Sequence, residues 1–209
     1  MARILKAKRN FNYYVDDFME YCTLKGLSKK TMKSYESTLK LFSKYMEEEY
    51  QIDRVEEVKS KHTNDYIKFT KERGKYSYVS DDKTVALNNP EMRADFGKTI
   101  SPSTINNYIR NLKVFFTWTV DNKIIKSSPM DKVEFVKHKR KPKDNISDAD
   151  FTALIKSIDV TKYSEYRDYV IIQLLMDSGM RLGETLSLTI EDIDLDRRAI
   201  LIPSDITKS

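Results

Sequence analysis

Cysteine, histidine, glycine and proline are all scarce in this chain of 209 residues. A single cysteine, Cys22, excludes an internal disulfide framework and fits a reducing compartment. The two histidines, His62 and His138, lie far apart, so a Cys/His zinc site is not expected, and neither a metal nor an organic cofactor is implied. With 5 glycines and 5 prolines, the chain lacks the frequent turns of an all-β fold and the composition of a disordered one. No apolar run approaches the roughly 20 residues that span a bilayer, and 33% of residues are charged, which excludes a membrane protein. The start, MARILKAKRN, is basic but has no apolar stretch of the kind a signal peptide needs, so a cytoplasmic location is expected.

What the chain does have is positive charge, unevenly placed. The net charge is +5, with 37 Lys+Arg against 32 Asp+Glu. Residues 1–143 hold 30 basic and 19 acidic residues, a net +11; residues 144–209 hold 7 and 13, a net −6. A basic N-terminal part points to a polyanion, most often nucleic acid. A solvated surface in a Lys-rich protein reads the same way by charge alone.

The periodicity predicts a mainly helical chain. Phe11, Tyr14, Val15, Phe18 and Tyr21 recur at helical spacing between Asn10 and Lys25, and Gly26 supplies a stop. Ser28 caps a second helix to about Tyr50, with the stripe Met32, Tyr35, Leu39, Phe42 and Met46. Thr63 is expected to cap a third helix that stops at Gly74. Residues 75–100 have no clear period and read as an irregular insertion. Pro102 sits in the first turn of a fourth helix to about Asn122, and a short turn is expected near Met130. The expected domains are a helical bundle over 1–136, a basic linker over 137–146, and a second domain from 147 to 209. The linker run Lys137-His-Lys-Arg-Lys-Pro-Lys143 has no apolar face; a nuclear localisation signal is its other reading. Beyond it, Ser147 caps a helix. The strongly apolar helix from Tyr166 to Ser178 is expected to be buried, with Gly179 as its C-cap. A short helix from Leu182 to Leu188 and a strand from Ala199 to Ile202 complete the reading.

Two helices present a polar side suited to DNA. On the second, Lys29, Lys33, Lys40 and Lys44 cluster within about 60° of arc, away from the apolar stripe. On the fourth, Ser103, Asn106, Asn107, Arg110 and Lys113 lie opposite the apolar side, and Ser101 to Val120 contains no Asp or Glu. Asn pairs bidentately with adenine and Arg with guanine in a major groove, while Ser and Lys suit phosphates. In the linker, Lys139, Arg140 and Lys141 would lie along a phosphate backbone. An ordinary solvated amphipathic helix accounts for either face taken singly.

The segment Met176-Asp-Ser-Gly-Met-Arg-Leu-Gly-Glu-Thr-Leu-Ser-Leu-Thr-Ile-Glu-Asp-Ile-Asp194 holds a more specific pattern. Spacing alone makes Arg181 a cation at a helix boundary and Glu184 its i,i+3 partner. The ordered whole, Ser178-Gly-Met-Arg-Leu-Gly-Glu184 followed by Leu186, Leu188, Asp192 and Ile193, resembles the first catalytic box of the tyrosine recombinases, the phage integrase family. The first half resembles that family's helical DNA-clamping domain, notably over Ser103 to Tyr108 and Phe115-Phe116. The resemblance implies a core-binding (SAM-like) helical bundle followed by the incomplete start of an α+β catalytic domain.

It also implies roles. Arg181 would hold two phosphate oxygens and stabilise a five-coordinate phosphorus, with Glu184 steadying the guanidinium. Lys208 would sit in the hairpin after the box and protonate the leaving 5′ oxygen; a solvated lysine is the other reading of that residue. The family's second Arg box, its His partners and its nucleophilic tyrosine have no counterpart among these residues, and none of the 13 tyrosines is promoted to that role. The implied activity is breakage and rejoining of double-stranded DNA through a 3′-phosphotyrosine, without metal or nucleotide, by a site-specific recombinase of a mobile element. The partners implied are duplex DNA and other protomers in a tetrameric synapse; this chain alone is expected to bind DNA without cutting it. The rival readings are a non-catalytic DNA-binding regulator derived from an integrase, and a structural helical protein.

Overall fold

The computed structural model describes residues 9–80, 86, 89–137 and 144–202. The chain divides into two compact units, Met1–Arg140 and Lys141–Ser209.

Among its described residues, the first unit holds the long helices α1 (Phe11–Leu24), α2 (Lys29–Tyr50), α3 (Ser60–Glu72) and α4 (Pro102–Asp121). Three begin as the sequence dictates. The side chains of Asn10, Ser28 and Ser101 accept the backbone N–H of Tyr13, Thr31 and Thr104 at 2.9, 3.2 and 3.2 Å, satisfying donors that no helical carbonyl reaches. The third start differs from expectation. α3 begins at Ser60, and Thr63 is buried within it rather than capping it. Its hydroxyl approaches the Ser60 carbonyl at 2.9 Å and the Pro129 carbonyl at 3.0 Å, which ties α3 to the turn where Met130 is buried.

Burial of aromatic rings holds these helices together. Phe18 of α1, Phe42 of α2, Tyr66 of α3 and Phe115 and Phe116 of α4 are fully enclosed. Phe18 meets Phe115 edge-on at 5.4 Å, and Phe42 meets Tyr66 at 5.0 Å and Phe116 at 5.8 Å in the same manner, the geometry that ring quadrupoles favour. Truncating one such ring to alanine costs about 3–5 kcal/mol. The irregular segment after α3 is closed at its base by an antiparallel bridge between Gly74 and Thr99 and by hydrogen bonds Lys75 N to Lys98 O and Gly97 N to Lys75 O. A Cβ on Gly74 would sit 2.6 Å from the Gly97 backbone, so only glycine permits this approach.

The second unit holds α5 (Asp148–Lys156), α6 (Tyr163–Ser178), α7 (Leu182–Leu186), a 3-10 turn at Ile190–Asp192 and a hairpin of β1 (Ile193–Asp194) and β2 (Ala199–Ile200). Two expectations are corrected here. The apolar helix α6 contains no buried residue, because it is apolar on several sides and the described residues cover only part of it. The strand expected over Ala199 to Ile202 ends at Ile200 and follows an earlier one, pairing Ile200 with Ile193 and Ala199 with Asp194. That partner strand has two residues, too few for alternation to show in sequence.

Candidate nucleic-acid interface and arginine box

The basic side of the first unit is assembled by hydrogen bonds between α2 and α4. Asn107 Nδ2 donates to Ser34 Oγ at 3.2 Å, and Arg110 Nη1 donates to Asn107 Oδ1 at 3.3 Å. Ser34, Asn107 and Arg110 thus share one neighbourhood, while Lys33 lines a hollow with Thr104 and Tyr108 of α4. Lys29 and Lys33 are exposed and make no ion pair among the described residues. Arg110 is exposed as well, and so is Ser103 in the first turn of α4.

Other candidates are engaged elsewhere. Lys40 pairs with Glu36 at 2.6 Å. Lys44 is half-buried, donating to the Val79 carbonyl at 3.0 Å and lying 5.3 Å from the Tyr78 ring centre, so it anchors the segment after α3. Asn106 spends both ends of its amide on one residue: Nδ2 donates to Val136 O at 2.9 Å and Oδ1 accepts Val136 N at 2.7 Å. That pair fixes the chain as it leaves the bundle and takes Asn106 out of base reading. Lys113 Nζ lies 5.4 Å from the centre of the Phe135 ring, a cation–π contact on the same departing segment. Lys139, Arg140, Lys141 and Lys208 lie outside the described residues.

One residue that organises this surface escaped the sequence reading. Asn111 is 3% exposed, and its Nδ2 lies 2.9 Å from Thr38 Oγ1, 3.0 Å from Ser34 Oγ and 3.1 Å from Ser34 O. A mid-helix Asn is unfavourable unless its side chain is used, and that was the available signal.

In the second unit the arginine is presented by two local devices. Gly179 adopts φ +66, the left-handed conformation that ends α6, and its N–H donates to Leu175 O at 3.1 Å. The chain then runs extended through Arg181, which stands at the start of α7. Glu184, with 7% of its side chain exposed, accepts the Arg181 backbone N–H at 2.9 Å on Oε2 and the guanidinium Nη1 at 2.7 Å on Oε1. These two contacts, the backbone N–H first and then the guanidinium, hold the Glu184 carboxyl below the usual carboxylate range. The Arg181 side chain stays 66% exposed, and one guanidinium nitrogen is fixed by Glu184. Such a fork matches two oxygens of a phosphate. Among the described residues no cluster of His, Cys, Asp and Glu could hold a metal ion.

A helical bundle is thus followed along the chain by an arginine fixed by a carboxylate one turn on, at the head of a short helix before a hairpin. The chain belongs to the tyrosine recombinase family: residues 15–87 match the model "Phage integrase, N-terminal SAM-like domain" and residues 144–209 match the model "Phage integrase family". Curated relatives agree. The chain is 24% identical over 185 residues to tyrosine recombinase XerD of Staphylococcus epidermidis, covering 88% of this chain and 54% of that protein. It is 23% identical over 202 residues to XerD of Shewanella oneidensis, covering 97% of this chain and 57% of that protein. Among solved structures, the Tn1549 transposon integrase in complex with a circular intermediate DNA shares the fold, with a TM-score of 0.61 and 18% identity over 90% of this chain and 52% of that one. The chain thus spans about half the length of the relatives it matches.

Proposed function

We propose that this chain is the DNA-clamping unit and the first part of the catalytic unit of a site-specific DNA recombinase. The single observation that carries the reading is Arg181, exposed yet held by Glu184, within the ordered box that the family uses. Its guanidinium would grip the scissile phosphate and stabilise the negative charge that builds as a nucleophile attacks phosphorus. Lys208 is the proposed acid for the leaving 5′ oxygen.

The first unit would hold duplex DNA through the Lys29, Lys33, Asn107 and Arg110 side, with the linker residues Lys139, Arg140 and Lys141 on the backbone. In the complete recombinase, strand cleavage would give a 3′-phosphotyrosine, and protomers would meet in a tetrameric synapse on DNA. The cytoplasmic, nucleoid-associated setting follows from duplex DNA as the partner; no described helix is long and apolar enough to cross a membrane. The curated relatives carry the names XerD and XerC, and the solved structure that shares the fold is a transposon integrase; a mobile element is the proposed setting.

The test pairs two assays. Binding of the chain to its own recombination site should fall steeply with salt. Incubation of this 209-residue polypeptide with supercoiled DNA should yield neither nicks nor a covalent adduct, whereas the complete recombinase should yield both. Salt-independent binding would sink the DNA reading, and cleavage by the complete protein carrying Arg181→Ala at the normal rate would sink the catalytic one.

A further inference from the structure

The first unit contains a cavity of about 540 Å³ that the DNA-clamping side does not account for. It lies between α2, the start of α4 and the irregular segment after α3. Its chemistry is unusual for a surface hollow. Three cations line it, Lys33, Arg73 and Lys75, together with three tyrosines, Tyr76, Tyr78 and Tyr108. Among the described residues, no carboxylate lines it.

Arg73 carries most of the argument. Its Nε is buried without a hydrogen-bond partner, and its Nη1 donates only to the Tyr78 carbonyl at 3.1 Å. Among the described residues it makes no ion pair, unlike Lys75, which lies 3.3 Å from Asp95. A partly enclosed guanidinium without a counter-charge is costly, and an anion entering the cavity would supply one. Inorganic phosphate would meet that need without the rings. The rings add a demand for a flat, weakly polar group beside the anion. Tyr76 already has the Arg93 guanidinium 4.4 Å from its ring centre, which makes that ring a fixed plate. The wall is built in advance: Tyr76 is held at φ +61, rare for an aromatic residue, between the Gly74–Thr99 bridge and the hydrogen bonds that close the loop.

A planar ring and a phosphate on one small unit describe a nucleotide, and a volume of this size accepts a ligand of that class. We infer that the cavity takes one nucleotide of a DNA strand, lifted out of the stack, with its base against the tyrosines and its phosphate on Arg73 and Lys33. Aromatic plates next to cations are the general means of holding unstacked strands. The inference rests on the reading that this unit binds DNA; Lys33 borders both surfaces and would connect them. It gives Lys75, Tyr76, Tyr78 and Val79 a function, as the wall that turns a basic patch into a pocket.

The experiment uses the whole chain, with a fluorescent oligothymidylate of about 12 nucleotides, a duplex of equal length, and thymidine 5′-monophosphate as probes. Tyr76→Ala and Arg73→Gln are the variants, each checked for an unchanged melting temperature. Expected is a loss of oligothymidylate affinity of about tenfold in each, with duplex affinity within about twofold of the parent. Photocrosslinking with 5-iodouracil should map to Tyr76 or Tyr108. Unchanged oligothymidylate affinity in both variants, or crosslinks confined to other residues, would overturn the inference. Competition by thymidine 5′-monophosphate as effective as by the oligomer would assign the pocket to a free nucleotide and overturn the strand assignment. Failure of the parent chain to bind the duplex is a separate outcome, which refutes the DNA reading itself.

Discussion

The side-chain amide of Asn111, in the middle of α4, donates to the hydroxyl of Thr38 on α2 at 2.9 Å, in a place where neither group can reach water. The same nitrogen lies 3.0 Å from Ser34 Oγ, one turn earlier on α2. Two helices that pack only through apolar surface can slide by a fraction of a turn. A buried polar pair penalises every register but one, because any other leaves its donors and acceptors unmet. The register set here is the one that brings Asn107 beside Ser34, with Arg110 bonded to Asn107 in turn. Asn111→Ala should therefore cost about 2 kcal/mol, as read by urea unfolding. A double-mutant cycle with Thr38→Val should show coupling between the two sites. Independent, additive losses would remove the pair from this role.

Two asparagines that look alike in the sequence should respond in opposite ways. Arg110→Ala and Asn107→Ala remove groups on the basic side, and Arg110→Ala should weaken binding to the cognate site by about 1–3 kcal/mol. Lys29→Ala and Lys33→Ala should each lower the slope of log affinity against log salt by about one, since each neutralises a phosphate. Asn106→Ala should instead destabilise the bundle, because it strands the N–H and carbonyl of Val136. Titrations at several salt concentrations, set beside melting curves for the same variants, separate the two groups.

That contrast also marks how far the sequence could be read. Helix starts at Asn10, Ser28, Ser101 and Ser147 were legible because capping is a local contest that these side chains win. Thr63 offered the same chemistry but is buried, since its position on the inner face of α3 outweighs its preference for a cap. The polar face of α4 was legible as a face and not as a set of contacts. Periodicity places Asn106 on the outer side but does not reveal that the returning chain at Val136 meets it. Arg181 and Glu184 lie three residues apart and meet as spacing alone requires. The cavity beside Arg73 joins residues from 33 to 108, a long-range arrangement with no sequence signature.

The Arg181–Glu184 pair gives a pH prediction with a definite sign. The folded-state carboxyl of Glu184 is depressed by the Arg181 N–H and guanidinium. A depressed carboxyl contributes stability that is present above its unfolded value of about 4.3 and is lost as pH falls through the folded value. The carboxyl carbon resonance of Glu184 should thus titrate below the reference glutamate value of about 4.3. Arg181→Ala should move it back up. In the complete recombinase, Arg181→Ala should abolish recombination while leaving DNA affinity within about threefold, because the interaction matures in the transition state. Glu184→Gln should retain the backbone contact, lose the charge on the guanidinium, and give an intermediate rate.

The final prediction concerns how unequally the two units resist opening. Burial in the first is extensive, with five aromatic rings fully enclosed where α1, α2, α3 and α4 meet. In the second, among the described residues, only Glu184 and Thr185 are buried, and neither α5 nor α6 has an enclosed side chain. Large apolar groups stand exposed along it, including Met176, Leu182, Leu186 and Ile190. Local opening free energy follows buried apolar contact, so amide exchange should divide along the same line. Amides of Leu112 and Phe116 should exchange only through global unfolding of the first unit. Amides of Leu174 and Leu175, hydrogen-bonded in a helix whose side chains are at most half-buried, should exchange at least about a hundredfold faster in this chain. The β2 amides should exchange faster still, with one neighbouring strand of two residues among the described residues to protect them. A partner that covers α6 and α7 should slow exchange there and leave Leu112 unchanged. Equal protection of Leu112 and Leu175 in a monomeric sample would show that the second unit closes a core of its own, and that exposure along α6 does not set its stability.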